Sequence, residues 1–113
     1  MKFEIFQSEK SGEYYFRLKA KNGQIILSSE GYKQKSGAKN GIESVMKNAP
    51  MDERFIRKEA SNGKHYFSLV AGNNQAIGKS QMYASKDGME KGIDSVQNNS
   101  KGAEIVDLTT EEA

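Results

Sequence analysis

Residues 14–20, YYFRLKA, alternate between the two sides of an extended chain. Phe16, Leu18 and Ala20 fall on one side, and Tyr15, Arg17 and Lys19 on the other. This is the period-2 signature of a strand with one buried and one open face. The pattern returns in residues 65–71, HYFSLVA, where Phe67, Leu69 and Ala71 form the inward set and Tyr66, Ser68 and Val70 the outward one. Further along, the period changes. Ala38, Ile42, Val45 and Met46 recur at helical spacing and predict a helix over about 34–48; Met89, Ile93 and Val96 predict a second over about 85–99. Ser85 is positioned as an N-cap, Asn48 and Asn99 as C-terminal stops, and Pro50 lies just beyond the first helix. Shorter strands are predicted at about 2–8 and 53–59, in QIILS and QAIGKS, and in a closing segment AEIVDLT at 103–109.

The recurrence is a repeat. A shift of 51 places residues 3–50 on 54–101 without a gap, and 18 of the 48 positions are identical, from Ile5/Ile56 to Asn48/Asn99. Two copies are too few for a solenoid, so the reading is one pseudo-twofold domain: repeat 1 over about 2–52, repeat 2 over about 53–109, and a disordered acidic tail at 110–113. In each copy the turn before the alternating strand carries a glycine, in SEKSGE and ASNGK. The turn after it, KNGQ, carries the two-residue Asn-Gly hairpin signal; its counterpart GNNQ has Asn74 in place of Gly23. Each helix is followed by a strand, the middle one serving both copies. The shared inward residues Phe16, Leu18, Ile42, Val45, Phe67, Leu69, Ile93 and Val96 predict a single continuous core.

With 113 residues and a mean hydropathy of −0.78, the chain forms one domain with a modest core. Cysteine is absent, which excludes disulfides, thiolate metal sites and thiol nucleophiles. The single histidine, His65, cannot build a multi-histidine metal site. No apolar run approaches the roughly 20 residues that span a bilayer, and MKFEIFQSEK lacks the apolar stretch of a signal peptide, so a cytoplasmic protein is expected. Net charge is +2, distributed as a body of +6 over residues 1–101 and −4 over 102–113. That balance gives only weak nonspecific attraction to polyanions.

The run SGEYYFRLKAKNGQII…SEGYKQKSGAKNGIESVMKNAP, repeated as NGKHYFSLVAGNNQAIGKSQMYASKDGMEKGIDSVQNNSKGAEIVDLT, resembles the YegP-like family of small uncharacterised bacterial proteins. The resemblance covers residues 1–109. It implies an α+β fold: tandem βββαβ units share one mainly antiparallel sheet, two helices pack on one face, and the C-terminal strands are exchanged between units. The family also includes single-unit chains that pair as dimers, so a tandem chain supplies both halves and is expected as a monomer. The resemblance brings no activity, cofactor or catalytic residue. This chain departs from the pattern at the end of the second helix, where NNSKG stands in place of KNAP.

Four features carry candidate chemistry. Gly37 and Gly41 in the first helix match Gly88 and Gly92 in the second; each interior glycine costs roughly 1 kcal/mol relative to alanine. Close packing against the sheet is the commoner reason for such glycines, and a flat ligand surface the sharper one. GAKNG and GMEKG carry neither a P-loop nor a dinucleotide fingerprint. Tyr32 with Lys35, and Tyr83 with Lys86, enter the two helices, where a tyrosine and a lysine beside a helix N-terminus can receive an anion. The more ordinary role is a tyrosine that plugs the gap between helix and sheet. The open sheet face presents Tyr15, Arg17, Lys19 and Tyr66, an aromatic and basic combination that stacks and neutralises single-stranded nucleic acid and that also suits a solvated antiparallel face. No RNP-type sequence is present. Glu43 and Asp94 match across the repeat but fall on the solvent side of the helices, and no Gly-x-Ser-x-Gly supports a nucleophile.

The expectation is therefore a non-catalytic binding or interaction module without metal or cofactor, and not a membrane protein. The alternative is weak binding of single-stranded RNA or DNA through Tyr15, Arg17, Lys19 and Tyr66, with Tyr32, Lys35, Tyr83 and Lys86 as the second candidate surface.

Overall fold

A computed structural model describes residues 1–109; the stretch 110–113, expected as a disordered tail, lies outside the described residues. The chain runs β1 (Lys2–Gln7), β2 (Tyr14–Lys19), β3 (Ile25–Ser28), α1 (Lys35–Asn48), a 3-10 turn (Asp52–Arg54), β4 (Phe55–Glu59), β5 (His65–Val70), β6 (Ala76–Ser80), α2 (Lys86–Asn99) and β7 (Glu104–Asp107). The strands form one sheet in the order β4-β5-β6-β3-β2-β1-β7. All neighbours are antiparallel except β7, which runs parallel to β1. The two halves meet where β3 pairs with β6, through only Leu27↔Ser80 and Ser28↔Lys79. Both strands that follow a helix lie in the other unit's half: β4 beside β5 and β7 beside β1.

The core is continuous. Phe16, Leu18, Ile42, Val45, Phe67, Leu69, Ile93 and Val96 are fully buried in one cluster. Helix α1 buries Ala38, Ile42 and Val45, and α2 buries Met89, Ile93 and Val96, on the face that also receives Phe3, Phe16, Phe55 and Phe67. Rings meet edge to face at Phe3–Phe16 (6.1 Å) and Phe55–Phe67 (5.6 Å). The Ser85 hydroxyl caps α2 by accepting from the Gly88 amide at 3.0 Å. Asn48 and Asn99 end their helices by donating from the side-chain amide to Ser44 O and Ser95 O at 2.9 and 3.0 Å.

Three features of the repeat read differently in three dimensions. The turn at KNGQ is a three-residue loop: Gly23 N donates to Ala20 O and Ala20 N to Gln24 O, both at 2.9 Å, with Gly23 at φ 84°. Asn74 takes the same left-handed place at φ 68° in the second unit. This is a type I turn followed by a left-handed residue, a geometry that matches strand twist as the two-residue primed turns do. The second difference is a slip. The β1–β2 loop closes on Ser8–Glu13, whereas the β4–β5 loop, one residue shorter, closes on Ala60–Lys64. Phe3 therefore lies opposite Leu18, and Phe55 opposite Leu69, so the equivalence along these strands is 52 rather than 51. One residue of slip reverses the face. Ile5 is fully buried, while Ile56, its identical partner by sequence, is 39% exposed; the residue in the place of Ile5 is Arg57. Third, Val70 is buried instead of open, beyond a β-bulge between Leu69 and Val70.

One repeated identity acquires a structural role. Ser29 and Ser80 each accept the amide of the neighbouring strand, Phe16 N and Phe67 N, at 2.9 Å. Each also donates its hydroxyl to the next carbonyl, Glu30 O or Gln81 O. These hydroxyls continue the ladder where the short inner strands end. At the seam the repeat is broken for packing: Leu27 is matched by Gly78, and a Cβ at 78 would lie 2.8 Å from Leu27 Cγ.

The burial of Phe67 predicts that Phe67→Ala loses about 3–5 kcal/mol in urea denaturation; a loss below about 1 kcal/mol would place the ring at the surface. At the seam, Gly78→Ala should destabilise by about 1–3 kcal/mol, as overpacking does. In a double-mutant cycle, Leu27→Ala should recover part of that loss.

Candidate functional site

The face opposite the helices is organised by strand register. One row crosses the whole sheet: Ile56, Ser68, Lys79, Ser28, Arg17, Glu4 and Val106, each beside the next. A second row places Lys58 beside Tyr66 in one half and Phe6 beside Tyr15 in the other. The sequence grouped Tyr15, Arg17, Lys19 and Tyr66 on this face, and the strands put them there, but the two halves differ in what surrounds them.

In the β1–β2 half the cations are already engaged. Glu4, only 7% exposed at its side chain, pairs with Arg17 Nε at 2.8 Å, Lys2 Nζ at 3.5 Å and Lys19 Nζ at 3.6 Å. Burial pushes the Glu4 carboxyl up, but the Arg17 hydrogen bond and the three positive charges outweigh it and hold it below the usual range. The Arg17 guanidinium also lies 4.5 Å above the Phe6 ring, which stacks on Tyr15 at 5.6 Å. Glu4 was missed by the sequence reading because its place among these cations depends on the β1–β2 register.

In the β4–β5 half, Ile56 stands where the β1–β2 half has Glu4. Lys79 Nζ lies 4.9 Å and Lys58 Nζ 6.0 Å from the centre of the Tyr66 ring. Among the described residues neither lysine is ion-paired. Both line a groove of about 700 Å³ over the seam between the units, together with Ile25, Ser28, Ser68 and Gly78 and with one carboxylate, that of Glu30.

The helix-entry residues resolve differently. Tyr32 stacks on Phe16 and Tyr83 on Phe67, each at 6.4 Å. Their rings pack over the helical glycines: a Cβ at Gly41 would lie 2.6 Å from both Phe16 and the Tyr32 hydroxyl, and one at Gly92 would collide with the Tyr83 hydroxyl. The glycines thus let tyrosines wedge between helix and sheet. Burial, with Glu30 nearby, raises the Tyr32 phenol above its ordinary pKa. Lys35 does receive an anion, and it is the chain's own: its Nζ lies 3.0 Å from Asp107 Oδ2 at the end of β7. Lys86, its repeat partner, is exposed without an ion pair among the described residues. Burial pushes Asp107 up, but hydrogen bonds from Thr109 and Lys35 outweigh it and bring the carboxyl down to about 2. No group of His, Cys, Asp and Glu among the described residues forms a metal cluster. No described helix is long and apolar enough to cross a membrane.

Two segments, residues 9–55 and 60–107, match one after the other a domain of unknown function, DUF1508. The chain belongs to this family. The first match takes in β2, β3 and α1, and the second β5, β6, α2 and β7. Among its relatives, a UPF0339 protein in the 5′ region of the ptx operon of Stutzerimonas stutzeri is 55% identical over 106 residues, covering 94% of this chain and 95% of its own length. The UPF0339 protein YegP of Escherichia coli K12 is 49% identical over 106 residues, covering 92% and 96%. The fold matches two solution NMR structures. The UPF0339 protein SO3888 of Shewanella oneidensis has a TM-score of 0.89 at 48% identity, covering 95% of this chain and 90% of that one. YegP of E. coli, described as of unknown function, has a TM-score of 0.90 at 46% identity, covering 98% and 95%. None of these names carries an enzymatic activity.

The Lys35–Asp107 pair predicts a specific acid response. A carboxyl held near 2 in the fold and near 3.9 when unfolded contributes stability above about pH 4 and loses it as pH falls towards 2. Melting temperatures measured from pH 5 to 2 should fall more steeply for the native chain than for Asp107→Asn. Lys35→Met should lower the melting temperature at pH 7, and Lys86→Met should leave it unchanged.

Proposed function

We propose that the chain is a non-catalytic binding module that receives an anionic ligand in the groove over the seam between the two units. The observation that carries this reading is the pair Lys58 and Lys79, two cations without carboxylate partners among the described residues, set beside Tyr66 in a concave part of an otherwise open sheet. A concave site with few polar groups on an apolar floor is the common form of a ligand pocket. The Ser28 and Ser68 hydroxyls add neutral donors on either side of Lys79 in the cross-sheet row. Arg17 and Lys19 contribute less, because both are already drawn to the Glu4 carboxylate.

A second reading, single-stranded RNA or DNA across the same face, is favoured by Tyr66 itself. An aromatic ring flanked by lysines offers a stacking platform and phosphate contacts together. One titration separates the two. NMR shifts are followed on addition of inorganic phosphate, a nucleoside monophosphate and a single-stranded oligonucleotide. Shifts at Tyr66, Ser68 and Lys79 with all three probes are expected for a small-anion site, and Lys79→Ala should abolish them. Saturation by the oligonucleotide alone, with affinity falling steeply with salt, would support nucleic acid. Shifts centred on Tyr15 and Arg17, or none with any probe, would overturn the groove.

A further inference from the structure

The two outer strands of the repeated sheet are finished differently. β1 is covered by β7, and Ile5, opposite Asp107, is fully buried there. β4 holds the same place in the other half, one strand outside β5, and among the described residues nothing pairs with its outer side. Where β1 carries Ile5, β4 carries Arg57. The side chain is drawn back across the edge. Nε donates to Glu90 Oε2 at 2.6 Å, and Nη2 to Glu90 Oε1 at 3.1 Å and Asp52 Oδ1 at 3.0 Å. Nη1 lies 3.5 Å from the carbonyl oxygen of Phe55, on the same strand. Gln97 Nε2 also donates to Asp52, at 3.2 Å. In the covered half the helix positions equivalent to Glu90 and Gln97 are Lys39 and Met46, and Met46 packs against the core. The polar cluster is therefore assembled at the β4 edge and not beside β1.

An uncovered strand edge is a template for pairing with another chain, and charges on it are a common way to prevent that. Two β4 strands meeting antiparallel about a twofold axis through Arg57 would bring its guanidinium and the Asp52 and Glu90 carboxylates against the same cluster of the second copy, and stripping water from those charges costs more than their pairing returns. We propose that Arg57, held in place by Asp52 and Glu90, closes the outer edge of β4 against β4 of a second copy of the chain. The ion pairs lie at the surface, with 31–67% of each side chain exposed, where such pairs add little to stability. Their effect belongs to association, and that separates this role from a purely structural one.

The test uses the full-length protein in a concentration series, with sedimentation for mass and amide hydrogen exchange for location. The native chain should remain at 12.6 kDa throughout. Arg57→Ile should double in mass at high concentration, with slowed exchange confined to the amides of residues 55–59 and little change in unfolding midpoint. Arg57→Thr should do the same, guarding against misfolding of the first variant, and Arg57→Lys, which keeps the charge, should stay monomeric. Folded Arg57→Ile and Arg57→Thr chains that stay monomeric at millimolar concentration would overturn the proposal. So would a native chain that already dimerises with residues 55–59 protected.

Discussion

Leu27 packs against Gly78 at the place where the two halves of the sheet join. Leu27 and Gly78 are repeat equivalents, and at a pseudo-twofold seam equivalent positions approach each other. A side chain on both would collide, and none on either would leave a void, so one unit supplies the volume and the other the space. Only two residue pairs face each other across β3 and β6. The unity of the sheet consequently rests on apolar packing beneath the seam more than on the ladder across it. The helices complete that packing: each rests on a tyrosine wedged over paired glycines, Tyr32 over Gly37 and Gly41, and Tyr83 over Gly88 and Gly92.

β7 is the second tie between the units, and it holds mainly by backbone pairing and charge. Ile105 and Leu108 remain about half exposed, so apolar burial along the segment contributes little. The parallel ladder on β1, the Leu108 amide on Ile5 O at 2.8 Å and the Lys35–Asp107 pair fix it. A tandem of two units in one open sheet has two outer edges. Here β7, laid against β1, forms one of them, and β4, carrying Arg57, forms the other.

The same asymmetry shapes the open face. The two units repeat their aromatic positions, Tyr15 and Tyr66, but not the charges around them. The one-residue slip puts Glu4 among the cations of one half and Ile56 in the corresponding place of the other. The cations of the half that looks more basic in sequence are thereby gathered around a carboxylate, and the half that looks plainer keeps lysines beside a ring with no ion pair among the described residues.

By itself the sequence determined the two units, their strands and helices to within a few residues, the inward faces and the caps. These follow from period and spacing, which are local: Phe16 and Leu18 face inward because a strand alternates, and Ile42 and Val45 because a helix turns every 3.6 residues. Only the tertiary structure decided what depends on register between distant segments. Ile5 and Ile56 are identical by sequence, yet one is buried and the other exposed, because a single extra loop residue before Glu13 moves β1 against β2. Glu4, Lys79 and Arg57 take their roles from neighbours on other strands and helices, and no spacing along the chain encodes those. Gly78 stands where the first unit has Leu27, and the reason, the Leu27 side chain from the other unit, exists only once the two halves meet.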